Sequence, residues 1–133
     1  MTPSDPSVLI SGAGPTGLLL AADLARRGVP FRIVDAAPTP SPLSRAIVVH
    51  ARTLEILRDF GVAETLVSRG VRLSRVRMFR GAASIIDVDF SQLDTSFPYL
   101  LCVHQTETER VLGDLVEVLG GRVERGVRYT GMT

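Results

Sequence analysis

Lysine is absent from this 133-residue sequence, so all 15 basic side chains are arginine. That reflects the base composition of the encoding DNA more than function. The 14 acidic residues leave a net charge of +1, which gives no electrostatic case for binding nucleic acid or a membrane surface. Cysteine is nearly absent as well, and a lone Cys102 cannot close an internal disulfide. Long apolar runs are missing too: Gly12, Gly14 and Asp23 interrupt the N-terminal apolar stretch, and Met1-Thr2-Pro3-Ser4-Asp5-Pro6 carries no positive charge. Neither a secretory signal nor a membrane span is therefore expected, and the setting expected is a reducing cytoplasm. No internal repeat is visible. What remains is an ordinary globular composition, 45% hydrophobic and 22% charged, long enough for one domain with a modest core.

Residues Val8 to Asp35 read as a nucleotide-binding device. An apolar run, Val8-Leu9-Ile10, leads into Gly12-Ala13-Gly14-Pro15-Thr16-Gly17, then an alanine-rich helix, a second apolar run and Asp35. Gly12 permits the sharp turn out of a strand, Gly14 lets backbone approach a pyrophosphate, and Gly17 lets the helix pack close to the sheet. The helix N-terminus then stabilises the anion without any basic side chain. Leu18 to Arg27 is expected to be helical with Gly28 as its cap, and Phe31 to Val34 to be the second strand. Asp35 ends that strand, where its carboxylate can accept hydrogen bonds from a ribose and repel a 2′-phosphate. With Ala36-Ala37-Pro38 following it, the adenosine points to NAD or FAD rather than NADP. A tight strand-to-helix turn with no ligand is the alternative for the glycines alone. The flanking strand, helix and acid weigh against it.

Pro38, Pro40 and Pro42 make 36–44 an extended loop. Helices are expected over Ala51 to Phe60 and Val62 to Arg69, ending at Gly61 and Gly70. Two β-like stretches follow, Val71 to Arg80 and Ser84 to Phe90, the second alternating Ile86, Val88 and Phe90 with Asp87 and Asp89 as a strand with one wet face. After a loop, Tyr99 to Val103 reads as a short buried strand. Thr106 and Glu109 read as a capping box for a helix whose buried stripe is Val111, Leu112, Leu115, Val116 and Leu119 and which stops at Gly120-Gly121. Arg122 to Arg125 is expected as the third parallel strand. Val127 to Thr130 is expected to begin another, cut short and poorly satisfied.

An ordinary NAD domain reaches its third strand through one short helical crossover. Here 86 residues separate Asp35 from Arg122 and enclose a β-hairpin, which favours a flavin-type arrangement over NAD. In such folds the hairpin belongs to a second layer that covers the far end of the cofactor. The expected fold is α/β, a Rossmann-like parallel sheet with an inserted β-hairpin, and on this spacing NAD stays open beside FAD.

The glycine turn, Asp35, the Ser44-Arg45-Ala46 segment and the Gln105-x-x-x-Glu109-Arg110 helix start together resemble the N-terminal part of the FAD-dependent aromatic hydroxylases, the para-hydroxybenzoate hydroxylase family. His50-Ala51-Arg52-Thr53-Leu54-Glu55 is similar to the family's next helix. The fold the resemblance implies is a Rossmann-like, glutathione-reductase-type FAD-binding parallel sheet with an inserted β-hairpin from an incomplete second layer, all 133 residues being the N-terminal part of the FAD-binding domain and 71–98 a hairpin and loop excursion belonging to the substrate side. The resemblance implies that Gly12, Ala13, Gly14, Pro15, Thr16, Gly17 and Asp35 hold the ADP half. It also implies that Arg45, with Ala46, lies against the pyrophosphate and flavin, where its charged fork suits phosphate oxygens, and that Gln105 approaches the cofactor. A solvated loop arginine and a plain helix-start amide are the alternatives for these two. Val127 is a further candidate, for backbone contact with adenine. The chemistry implied is reduction of FAD by NADH or NADPH, then reaction with O2 and oxygen transfer to an electron-rich, usually phenolic or polyketide-like ring. Members of the family run to several hundred residues, with Asp-Gly and Gly-Asp motifs beyond this sequence. The chain is therefore read as a fragment expected to hold the ADP end of FAD and little else, with binding weak or absent without the rest, not active alone, and self-associating through unfinished sheet edges.

No residue here is assigned a catalytic or metal-binding role. His50 and His104 lack a paired carboxylate at catalytic spacing, and with Cys102 they do not make a ligand set. Arg72, Arg75, Arg77 and Arg80 form a stripe that fits a solvated strand face better than a site for nicotinamide phosphates. Ser11 and Ser44 lack a nucleophile-elbow context. Two other readings stay open: an NAD-linked or non-hydroxylating flavin oxidoreductase, and a short non-catalytic binding protein on the same fold.

Overall fold

The computed structural model describes residues 6–40 and 47–131. In chain order its elements are β1 (Val8–Ser11), α1 (Pro15–Arg26), β2 (Phe31–Asp35), β3 (Val48–Val49), α2 (Ala51–Asp59), α3 (Ala63–Val67), β4 (Val71–Leu73), β5 (Arg75–Arg80), β6 (Ala83–Asp89), β7 (Leu100–Cys102), α4 (Gln105–Val118) and β8 (Val123–Arg125), with a 3-10 turn at Phe90–Gln92. These divide into two compact units, one drawn from both ends of the chain and one from residues between Arg45 and His104.

The first unit is a parallel sheet in the order β1-β2-β8, with α1 and α4 packed together. β1 runs beside β2 from Val8 opposite Phe31 to Ser11 opposite Val34, and β8 joins β2 with Val123 opposite Ile33 and Arg125 opposite Asp35. The third parallel strand is thus where the sequence places it. Alternation along β1 and β2 buries Ile10 and Ile33, and α1 answers with Leu18, Ala21 and Ala22, whose small alanines let helix and sheet approach. Gly28, at φ +67°, ends the helix with its N–H on the Ala25 carbonyl.

α4 starts where the Gln105-x-x-x-Glu109-Arg110 pattern puts it, but without the capping box expected at Thr106 and Glu109. It begins at Gln105, so Thr106 lies inside the helix and no capping box forms; Gln105 Nε2 instead donates to Glu109 Oε1 at 2.7 Å, one turn on. Its buried face is Thr108, Val111, Leu112 and Val116. Leu115 is half-buried and Leu119 exposed, because the helix ends at Val118, before the stripe is complete. The expected strand at Val127 is also absent: 127–131 carries no regular structure, although Val127 still donates its N–H to the Asp35 carbonyl at 3.0 Å.

The second unit contains α2 packed with α3 and a small antiparallel sheet in the order β3-β7-β4. Leu54, Leu57, Leu66 and Leu101 are its fully buried leucines; a leucine so placed typically contributes about 2–5 kcal/mol. The stretch from Val71 to Arg80 is two strands rather than one: β4 pairs with β7, and beyond Ser74 the chain enters the β5-β6 hairpin. In that hairpin Val76, Met78, Ile86 and Val88 share one side and Arg75, Arg77, Asp87 and Asp89 the other, as alternation requires. Every residue of β6 is exposed, so both of its sides are wet, not one as the pattern suggested.

Candidate functional site

The turn out of β1 is built on glycines with different duties. Gly12 has φ +103°, in the left-handed region that favours glycine, and its N–H donates to the Val34 carbonyl at 2.8 Å. Gly14 flanks α1 in extended conformation, no side chain caps the helix, and Pro15 occupies the first helical position, where a missing N–H costs nothing. The Leu18 N–H closes the first turn on the Gly14 carbonyl at 2.9 Å. The preceding N–H groups therefore form the anion-attracting end of a twelve-residue helix. A Cβ at Gly14 would meet nothing within 4 Å, whereas one at Gly17 would sit 2.0 Å from the Gly12 carbonyl oxygen. Gly14 keeps space open in front of the helix. Gly17 lets the helix lie against the turn.

Asp35 closes the other side. Its Oδ2 accepts the Ala13 N–H at 2.7 Å and its Oδ1 accepts the Ala37 N–H at 2.8 Å, tying the glycine turn to the end of β2. Arg125 brings Nη1 to 3.5 Å from Oδ2. Burial pushes the Asp35 pKa up. The two backbone N–H groups and the Arg125 charge outweigh burial and hold the carboxyl below its ordinary value of 3.8. Beyond Arg125, Gly126 and Val127 donate their N–H groups to the carbonyls of Ala37 and Asp35, which fastens this segment alongside the end of β2.

The structure therefore brings together Gly12 to Gly17, Asp35 and Val127. The Val127 N–H is committed to Asp35, leaving its carbonyl for any adenine contact. Gln105 opens α4, the helix beside α1, and is paired with Glu109. Arg45 and Ala46 lie outside the described residues. Arg125 was given no role by the sequence pattern. Counting the parallel register to the last residue of the third strand would have placed it opposite Asp35. Of the arginine stripe, Arg75 makes a two-pronged contact with Asp87 at 2.7 and 2.8 Å, Arg77 lies 3.8 Å from the same carboxylate, and Arg72, on β4, stacks over the Tyr99 ring at 5.1 Å. Among the described residues no helix is long and apolar enough to cross a membrane, and no cluster of three metal-ligating side chains occurs.

The uncapped helix end, the open space at Gly14 and the acid one strand away fit the pyrophosphate and ribose of FAD. The model of the FAD binding domain matches residues 5–133. A 6-methylpretetramide 4-monooxygenase of Streptomyces rimosus is 40% identical over 124 residues, covering 92% of this chain and 22% of that protein. A pentachlorophenol 4-monooxygenase of Sphingobium chlorophenolicum is 38% identical over 110 residues, covering 82% of this chain and 20% of that protein. The solved structure of an anhydrotetracycline hydroxylase from Streptomyces rimosus matches with a TM-score of 0.77 at 37% identity, covering 90% of this chain and 24% of the other. The chain thus spans less than a quarter of the length of these relatives. With a family match that runs from the first described strand past the last, and a site whose parts suit that cofactor, the chain belongs to the FAD binding domain family.

Proposed function

We propose that this chain holds the ADP half of FAD within a flavin-dependent monooxygenase acting on an aromatic substrate. The observation that carries the reading is the joint geometry of Asp35 and the glycine turn: the Asp35 carboxylate is bonded to Ala13, in the same turn that leaves space open at the N-terminus of α1. In this reading the parallel sheet is a glutathione-reductase-type Rossmann layer, and the unit containing 71–98 is part of the substrate side. The α1 N-terminus and the turn receive the pyrophosphate, Asp35 accepts the ribose hydroxyls, the Val127 carbonyl faces adenine, and Arg45, Ala46 and Gln105 extend the site toward the flavin. FAD, when bound, takes electrons from NADH or NADPH and activates O2 for transfer of one oxygen to the ring. The aromatic substrate class is supported by relatives named for a pretetramide, a pentachlorophenol and an anhydrotetracycline.

Calorimetric titration tests the cofactor half directly. FAD and ADP are expected to bind competitively with comparable affinity while FMN does not. Binding of FMN, or failure of ADP to bind, would overturn the assignment.

Asp35→Asn is expected to weaken ADP binding about tenfold, the loss of one charge-assisted hydrogen bond. It also has a pH signature. Because the folded pKa lies below 3.8, the carboxylate's stabilising contribution is present above that value and is lost as pH falls through the lower folded one. The difference in Tm between wild type and the variant should be largest near neutrality and close below about pH 4. A gap independent of pH would contradict the ionised role.

The apolar side of the hairpin, with Met78 and Ile86 exposed, and the edge of β1, which pairs with no further strand among the described residues, support a second proposal, self-association of this chain. Light scattering is expected to show concentration-dependent oligomers that Ile86→Glu reduces. A wild-type monomer at high concentration would remove this proposal.

A further inference from the structure

We propose that Arg125 is a positioning residue for the adenosine end of the site: from β8 it holds the Asp35 carboxylate against the glycine turn and offsets its charge toward the incoming pyrophosphate. This rests on the ADP reading above, and three observations support it. First, the pair is set by the sheet. Arg125 and Asp35 are opposite each other in the parallel ladder, where side chains at matched positions leave the same side of the sheet. The ladder continues as Gly126 and Val127 bond back to Ala37 and Asp35, so the Arg125 backbone has little freedom to drift.

Second, the two side chains are only about a quarter and a fifth exposed, and Nη1 stands 3.5 Å from Oδ2. That separation is a charge contact rather than a good hydrogen bond, in surroundings where a charge counts for more than on an open surface. The oxygen concerned, Oδ2, is the one that accepts the Ala13 N–H, so Arg125 acts on the side of the carboxylate that grips the turn.

Third, the site has a charge problem that Arg125 resolves. A ribose-binding carboxylate bonded into the turn that cradles a pyrophosphate brings negative charge close to a dianion. No cation is supplied next in sequence, where Ala36-Ala37-Pro38 follow Asp35. The other groups on the carboxylate are the Ala13 and Ala37 N–H groups. Among the described residues, Arg125 is the charged side chain that lowers the Asp35 pKa. Other arginines of the same unit are engaged elsewhere, Arg32 with Glu124 and both Arg26 and Arg27 with Asp23.

The test is a mutant cycle on the purified protein with ADP as the probe, read by calorimetry. Arg125→Gln is expected to weaken ADP about 5- to 10-fold, and Arg125→Lys, which keeps a charge there, to stay within about twofold. In an Asp35→Asn background, Arg125→Gln should change affinity less than about twofold, because its effect passes through the carboxylate. A ligand-free arm follows the Asp35 side-chain carboxyl by NMR: its titration midpoint should move up in Arg125→Gln and stay in place in Arg125→Lys. An equal loss in both backgrounds, or an unmoved midpoint, overturns the proposal. Failure of the wild type to bind ADP while the midpoint still shifts would overturn the ADP reading and leave the hold of Arg125 on Asp35 established.

Discussion

Replacing Gly17 with alanine is expected to lower the Tm by about 10 °C and to abolish ADP binding with it. The added Cβ would lie 2.0 Å from the Gly12 carbonyl oxygen, 3.2 Å from its carbon and 3.3 Å from Ile10 Cγ2. The first two are backbone atoms of a turn that is itself held, by the Gly12 N–H on Val34 and the Ala13 N–H on Asp35. Relief therefore comes from one of two movements. Either α1 withdraws from β1 and β2, opening the packing that buries Leu18, Ala21 and Ala22 with Ile10 and Ile33, or the turn opens and those two hydrogen bonds break. Withdrawal of the helix costs about 1–3 kcal/mol, and opening the turn instead loses two bonds of about 1 kcal/mol each, so either route costs about 2–3 kcal/mol. At about 4 °C per kcal/mol, where the ranges for smaller and larger domains meet, the shift is about 10 °C. Thermal unfolding followed by circular dichroism measures it. A Tm within about 3 °C of wild type would mean that helix and turn are not in the close contact described.

What the sequence disclosed and what it withheld divide along a physical line. The β1-turn-α1-β2 device was legible because its signals are local: the glycines, the helix periodicity and Asp35 fall within one continuous stretch, and a right-handed crossover leaves one way to assemble them. β8 was legible for the same reason, since a helix stopped by Gly120-Gly121 must return to the sheet. The break at Ser74 was not, because β4 is defined by pairing with β7, some 30 residues away, and nothing in Val71 to Arg80 marks the change of partner. The Gln105 start of α4 was legible from the Gln105-x-x-x-Glu109-Arg110 pattern, but the capping box was not real: Thr106 and Glu109 satisfy its spacing while Thr106 lies inside the helix and Gln105 pairs with that same glutamate. Its last turn was overextended because an apolar residue at the right spacing, Leu119, lies beyond the helix end. The role of Arg125 depends on register between strands separated by most of the chain, and register is a property of the assembled sheet.

Gly14 provides the second large effect, of opposite character to Gly17. Gly14→Asp is expected to leave Tm unchanged or slightly raised while weakening ADP and FAD more than about 100-fold. The backbone there is extended, at φ −79° and ψ −178°, so a side chain brings no strain, and a Cβ would meet nothing within 4 Å. Aspartate is among the preferred residues at a helix N-cap, where it accepts a first-turn N–H and interacts favourably with the dipole, together worth up to about 1 kcal/mol over glycine. Folding therefore gains, or at least does not lose. A ligand pyrophosphate needs those same N–H groups and would meet a fixed negative charge instead. Two unit charges 4 Å apart repel by about 4 kcal/mol at a surface-like dielectric, enough for a loss of 100-fold or more. Calorimetric titration alongside thermal unfolding separates the two quantities. If Gly14→Asp retains ADP within about threefold of wild type, the phosphates are not at this helix end, and the glycine turn serves packing alone. If stability holds while binding disappears, the space in front of α1 is kept open for an anion at the expense of a cap that the helix would otherwise favour.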